Sequence, residues 1–212
     1  MRHHGRMSAA NPDASAATSG YAKGRLRREQ IVTAAAQVYA DTGYHGASLR
    51  EIAKRAGISH AGLIYYFPNR EALLAAVLER RDADDRARGK ASEVEGRAAL
   101  GHLVDLAGHN QAHPGIVELY VRLAAEAIDK GHPAHDYFTQ HYRDARTYAY
   151  RSFAALADAG LLREDVDPRA AAVTLIALMD GLQVQWLTNP DEVDLVTALR
   201  FLLRHLLTTP LD

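Results

Sequence analysis

A chain of 212 residues with 48% apolar side chains is long enough to bury a substantial core, which excludes a disordered or disulfide-stapled scaffold. It contains no cysteine, so disulfides, thiolate chemistry and any Cys-containing zinc site are excluded as well. The formal net charge of −1 conceals an asymmetry: residues 1–90 hold 15 Lys+Arg against 9 Asp+Glu, and residues 91–212 hold 10 against 17.

A basic front and an acidic rear suit a DNA-binding head joined to a separate regulatory body. Ordinary drift of surface charge along a chain is the plainer reading of the same split. No run of about 18 apolar residues suggests a membrane span, and residues 1–24 lack the continuous apolar segment of a secretory signal, so a cytoplasmic location is expected. Residues 1–24 are rich in Ala, Ser, Gly, Asn and Asp without periodicity and are expected to form a disordered arm. They run into Lys23, Arg25, Arg27 and Arg28, which either reach DNA phosphates and an adjacent minor groove or simply solvate a helix start. That helix is expected from about Arg25 to Thr42, with Ile31, Val32, Ala35, Val38 and Tyr39 inward and Gly43 ending it.

The run from Ser48 to Phe67 is the most informative. Ser48 is placed to cap a short helix, with Glu51 three residues later, where a capping box needs it. Leu49, Ile52, Ala53 and Ala56 recur at helical spacing on one face. Gly57 stops this helix, because only glycine enters the left-handed conformation there at little cost. Ser59 can cap a second helix, which buries Leu63, Ile64 and Phe67 and leaves His60, Ala61, Gly62, Tyr65 and Tyr66 outside. Two short helices pinned at a sharp corner, about residues 48–67, make a helix-turn-helix, and such a unit lays its second helix in the DNA major groove. Pro68-Asn69 then opens a long helix from Arg70 to about Gly89, through Leu73, Leu74, Val77 and Leu78. Its first turn offers Arg70 and unpaired backbone amides to a phosphate.

Together these residues, with Ile-Ala at 52–53, Ala-Gly-Ile-Ser at 56–59, Tyr-Phe at 66–67 and Pro-Asn-Arg-Glu-Ala-Leu-Leu at 68–74, resemble the TetR family of transcriptional regulators over roughly residues 27–87. Two positions depart from that family's pattern: Ile64 stands where a tyrosine is usual, and Ala61-Gly62 replaces the commoner Gly-Thr or Pro-Thr. A phosphate-contacting hydroxyl is thereby missing at 64, and Tyr65 or Tyr66 must supply the contact. By position, Arg50, His60, Ala61, Gly62 and Tyr65 are expected at base edges, and Ser48, Ser59, Tyr66, Asn69 and Arg70 at phosphates. For both tyrosines, packing inside the head is the alternative.

Beyond Ala91 every start and stop signal is helical: about 93–111, 115–130, 134–159, and a very apolar helix opened by Asp167-Pro168 and continuing to about Thr188. Asn189-Pro190-Asp191-Glu192 repeats the opening device, and a last helix follows to about Leu207. No alternating strand pattern occurs, so the fold class is all-α with about nine helices. The domains expected are the arm 1–24, the head 25–88, and a regulatory and dimerisation body 89–212. The last two helices carry Leu175, Leu178, Met179, Leu182, Val196, Leu199, Leu203 and Leu206, more apolar surface than a terminal helical layer ordinarily buries. Two copies pairing these helices into a four-helix bundle would hold two heads over half-sites ~34–36 Å apart; a hairpin packed wholly on its own body is the alternative.

The resemblance implies a small-molecule effector bound among the rear helices and no cofactor. Polar groups in those apolar helices are His102, His109, Tyr120, Arg122, Tyr137, Tyr142, Asp180, Gln183 and Trp186. Asp180-Gly181 stands out, since glycine inside a helix costs about 1 kcal/mol against alanine. Either a close helix or ligand approach explains it, or tight packing with Asp180 bonded to Arg146 or Arg151. Histidines one turn apart, such as His109 and His113, lack a His-Glu-x-x-His context, and no metal is expected. The function expected is a ligand-responsive transcriptional regulator of the repressor type, a homodimer on a palindromic double-stranded DNA operator, released by its effector. An all-helical enzyme with a His/carboxylate site and a ligand-independent architectural DNA protein are the alternatives. No glycine-rich phosphate loop or nucleophile elbow supports the enzyme.

Overall fold

A computed structural model describes residues 12–88 and 95–211, with side chains from residue 22 onward except 82 and 84–88. Among the described residues there are nine helices: α1 Pro12–Gly46, α2 Leu49–Arg55, α3 His60–Tyr66, α4 Arg70–Arg88, α5 Arg97–Gln111, α6 Pro114–Glu126, α7 His135–Asp158, α8 Pro168–Thr188 and α9 Leu195–Leu206. The only extended pairing among them is an isolated bridge between Leu162 and Leu207. The expected helix end at Gly89 and the start near 93 fall outside the described residues, as does the arm before Pro12.

Three expectations change. Helix α1 begins at Pro12, so residues 12–24 continue it instead of forming a disordered arm. Proline at a first helical position, followed by Ala14, Ala16 and Ala17, favours that extension. Its break falls at Gly43 (φ 70°), where the sequence placed the end. Helix α9 starts at Leu195, not after Asn189-Pro190, because Asp194 is the better cap: one carboxylate oxygen accepts from Val196 N–H (2.9 Å) and Thr197 N–H (3.2 Å). Helix α8 has the length and hydropathy to cross a membrane, contrary to the expectation of no such stretch. Here, though, it buries Leu175, Ile176, Leu182, Gln183 and Trp186 within the chain.

Two apolar clusters organise the packing. One joins α1–α4 to the far side of α6 and the start of α7, through Ile31, Val38, Tyr39, Ile52, Leu63, Phe67, Leu73 and Leu74 with Leu119, Leu123 and Phe138. The head therefore shares its core with the body. The second holds α5–α9, through Leu100, Leu103, Phe153, Leu156, Leu175, Leu199 and Leu203. Leu175, Leu182, Leu199 and Leu203, expected to face a second subunit, are buried in this cluster; Leu178, Met179, Val196 and Leu206 are half-buried on its edge. An apolar stripe satisfies its own body first, because that contact is intramolecular. What remains outside is Val173 (50% exposed), Val184 (49%) and Phe201 (66%).

Candidate nucleic-acid interface

The corner between α2 and α3 is held by hydrogen bonds its own residues supply. The Ser48 hydroxyl oxygen accepts from Glu51 N–H (3.1 Å), and Ser59 from Gly62 N–H (3.0 Å). At the end of α2, Gly57 N–H donates to Lys54 C=O (3.1 Å) and Ile58 N–H to Ala53 C=O (3.0 Å), a Schellman closure with Gly57 at φ 67°. Leu63 is fully buried beneath the corner, and Ile64 packs half-buried against the same core. His60, Ala61 and Tyr65 are therefore turned outward; Tyr65 is 84% exposed. Each serine, having accepted an amide, keeps its own O–H to donate outward.

Arg50 and Lys54 are both exposed, one turn apart on α2, and Lys23, Arg25, Arg27 and Arg28 are exposed in the first half of α1. Arg28 also lies over the Phe67 ring (4.9 Å), which ties α1 to the end of α3. Lys54 was not singled out from the sequence, although its i, i+4 spacing from Arg50 was the available signal. Arg55 is held by Asp41 at 2.7 Å.

Other residues expected at phosphates are engaged within the chain. The Asn69 amide oxygen accepts from Ala72 N–H (2.8 Å) and caps α4. Arg70 donates to the Tyr44 carbonyl and lies over the Tyr44 ring (4.5 Å). Tyr66 is half-buried against the head core, its ring edge-on to Tyr65 at 5.3 Å. Tyr44 was not anticipated. Its hydroxyl donates to Glu71 (3.1 Å), and burial, together with that carboxylate, raises its pKa.

Residues 31–77 match the bacterial regulatory proteins of the tetR family, and residues 97–209 match the C-terminal domain of BetI-type transcriptional repressors. The chain belongs to the TetR family. Regulators, not enzymes, make up that family, and this chain is a transcriptional regulator with a DNA-binding helix-turn-helix and a helical ligand-binding body. It is 28% identical over 183 residues to the HTH-type transcriptional regulator PksA of Bacillus subtilis, covering 84% of this chain and 87% of that protein. Its fold matches SmeT of Stenotrophomonas maltophilia in a complex with triclosan (TM-score 0.72, 20% identity, 88% and 94% of the two chains). It also matches a transcriptional regulator from Saccharomonospora viridis in complex with choline (TM-score 0.73, 23% identity, 86% and 98%).

In this TetR-family body, some of the polar residues expected at a ligand converge. Tyr120, Tyr142 and Asp180 lie close enough to perturb one another's ionisation. Burial pushes Asp180 above the usual carboxylate range and both tyrosines upward. Arg81 of α4 lies over the Tyr120 ring at 4.2 Å and donates to the Tyr137 hydroxyl (3.3 Å), so the cluster touches the helix that leaves the head. Arg146 and Arg151, the partners anticipated for Asp180, are exposed instead. Gln183 and Trp186 are buried further along α8, and the Gln183 side-chain oxygen accepts no hydrogen bond.

His102 and His109 lie apart on α5, with His109 stacked on His113 (4.0 Å), and Arg122 is exposed and paired with Glu118 (2.8 Å). Around Gly181 an added Cβ would meet nothing within 4 Å, so no close helix approach inside the chain explains that glycine. A cleft of about 390 Å³ opens elsewhere, between α1, α4 and the start of α6, lined by Val32, Ala36, Val77, Arg80, Ile116 and Leu119. Sequence spacing carried no sign of it, because it joins residues more than 80 positions apart.

Proposed function

We propose that the protein is a ligand-responsive repressor that binds a palindromic operator as a homodimer in the cytoplasm. The outward face of α3 carries this reading: His60, Ala61 and Tyr65 project from a corner whose caps and core leave it little freedom. Arg50, Lys54, Ser48 and Ser59 flank that face with donors. Arg50 reads a base, because a guanidinium can fork onto guanine; the serines and Lys54 hold phosphates. Arg70 and Asn69 act one step back, by setting the start of α4.

A seven-residue helix reads few base pairs, so affinity and specificity both require a second head. The dimer face proposed is the exposed side of α8 and α9, where Val173, Ala177, Gly181 and Val184 follow one another at helical spacing on α8 and Phe201 is exposed on α9. A compact organic effector near the Tyr120–Tyr142–Asp180 cluster would act through Arg81 on α4. Favouring the released arrangement by about 1–3 kcal/mol yields 5–150-fold coupling.

The test is a footprint on the DNA upstream of the protein's own and neighbouring genes, repeated with candidate metabolites. Two dyad-related protected half-sites that a metabolite abolishes are expected. Uniform protection of any duplex would instead mark an architectural DNA protein and end this reading.

A further inference from the structure

Tyr44 sits at the junction of three elements. Its carbonyl accepts from Arg70 and its hydroxyl donates to Glu71, both on the first turn of α4. Its amide turns the other way, to the body: Tyr44 N–H donates to Glu126 Oε2 (2.8 Å), and Glu126 is the last residue of α6. This contact is possible because α1 breaks at Gly43 (φ 70°, ψ 176°), which leaves the Tyr44 amide outside the helical ladder. Gly43 also leaves room for the carboxylate, since a Cβ there would lie 2.1 Å from Glu126 Oε1.

A second body residue backs the first. His132, in the turn after α6, is 4% exposed and presents its ring edge to Tyr44 (4.9 Å) and to His45 (5.4 Å). Its Nδ1 accepts from Ala134 N–H (3.1 Å), so the neutral ring carries its proton on Nε2, 3.5 Å from Glu126 Oε2. That Nε2 makes no hydrogen bond, so the carboxylate is fixed by the head N–H of Tyr44 and flanked by the body's imidazole. Potential ligand atoms of His45, Glu126 and His132 all lie within 4.8 Å of one another. A metal on Nε2, however, would require the ring proton on Nδ1, against the Ala134 N–H already pointing there. The Glu126 carboxylate on the Tyr44 amide, with the His132 ring packed against Tyr44, is built as a latch.

Four residues after Tyr44 comes Ser48, the cap of α2. We propose that Glu126 is a positioning residue for DNA binding: by holding the Tyr44 amide, α6 sets the angle at which each head presents α3. This gives the body a route to the helix-turn-helix that does not pass along α4. It rests on the reading that α3 meets DNA.

The full-length variants Glu126→Ala, Glu126→Asp and Glu126→Gln test it on the footprinted operator and on a duplex carrying one half-site. Alanine removes the acceptor and aspartate withdraws it by one methylene, so both should lose about tenfold on the full operator. Both should stay within about twofold on the half-site, where relative head angle is irrelevant. Glutamine keeps an acceptor oxygen and should bind the full operator nearly as the unaltered protein does. Equal losses on both duplexes, or none on either, would overturn the proposal. Amide exchange gives an arm that needs no DNA. Glu126→Ala and Glu126→Asp should speed exchange at Tyr44 and through α2 and α3, and leave α8 and α9 unchanged. Unaltered exchange at those head amides would overturn the latch even if the protein bound no operator at all.

Discussion

Tyr65 and Tyr66 are neighbours in sequence and opposites in environment. Tyr65 projects from α3 and is 84% exposed, whereas Tyr66 packs against the head core. Tyr65→Ala should therefore weaken operator binding while leaving the melting temperature unchanged. Tyr66→Ala should cost about 1–3 kcal/mol of stability as well, because it removes apolar contact from a shared core. Thermal melts beside operator titrations separate the two, and a melting temperature that fell equally in both would contradict the assignment. Asp180 poses a different question at the same scale. Burial raises its pKa above the unfolded value, so the folded state holds the proton more tightly than the unfolded chain does. Stability then falls as pH rises from the ordinary carboxylate value through the raised one, and above that window the ionised group is a standing cost. Asp180→Asn should raise the melting temperature at pH 7 and flatten that part of the pH profile, since the amide fills the same space with no charge to bury. A lower melting temperature at pH 7 would mean that the charge is stabilised by its surroundings after all.

Helices α2, α3, α4, α8 and α9 open on side-chain caps, and caps are the part of a fold that local sequence states most plainly. Gly57 adopts φ 67° with nothing within 4 Å of an added Cβ, so Gly57→Ala carries backbone strain alone, about 1–2 kcal/mol. Ser59→Ala should cost about 1 kcal/mol by freeing the Gly62 amide. Chemical denaturation should show both losses at unchanged m-value; a change in slope would indicate that the head had partly melted instead. Ser48, Gly57, Ser59 and Asp167 were legible because each acts on residues within three positions of itself. Where two caps competed, legibility failed: Asn189-Pro190 looked complete, but Asp194 takes two amides and so starts α9. Arg70 failed for a different reason. Its long side chain finds a carbonyl 26 positions back, and no local pattern encodes that reach. Glu126 was invisible for the same reason, at a separation of 82.

The whole molecule adds a constraint that no element shows alone: apolar periodicity says that a face is buried, not against what. Leu175, Leu199 and Leu203 went to the chain's own core, so any second subunit must be held by what they left outside. That remainder contains Gly181, on the same face as Val173, Ala177 and Val184. For the isolated chain, Gly181→Ala removes a helix-weakening glycine into open space and should stabilise by about 1 kcal/mol. For a dimer in which α8 packs against its own mate at that point, the added methyl forces two helices apart and weakens association. The two cases give opposite signs. Sedimentation equilibrium of Gly181→Ala should show a larger dimer dissociation constant, while melts under conditions that favour the monomer show a gain. Phe201→Glu should dissociate the dimer outright, because a carboxylate replaces the exposed ring that α9 offers to the proposed interface. A Gly181→Ala protein that is both more stable and equally dimeric would move the interface away from α8.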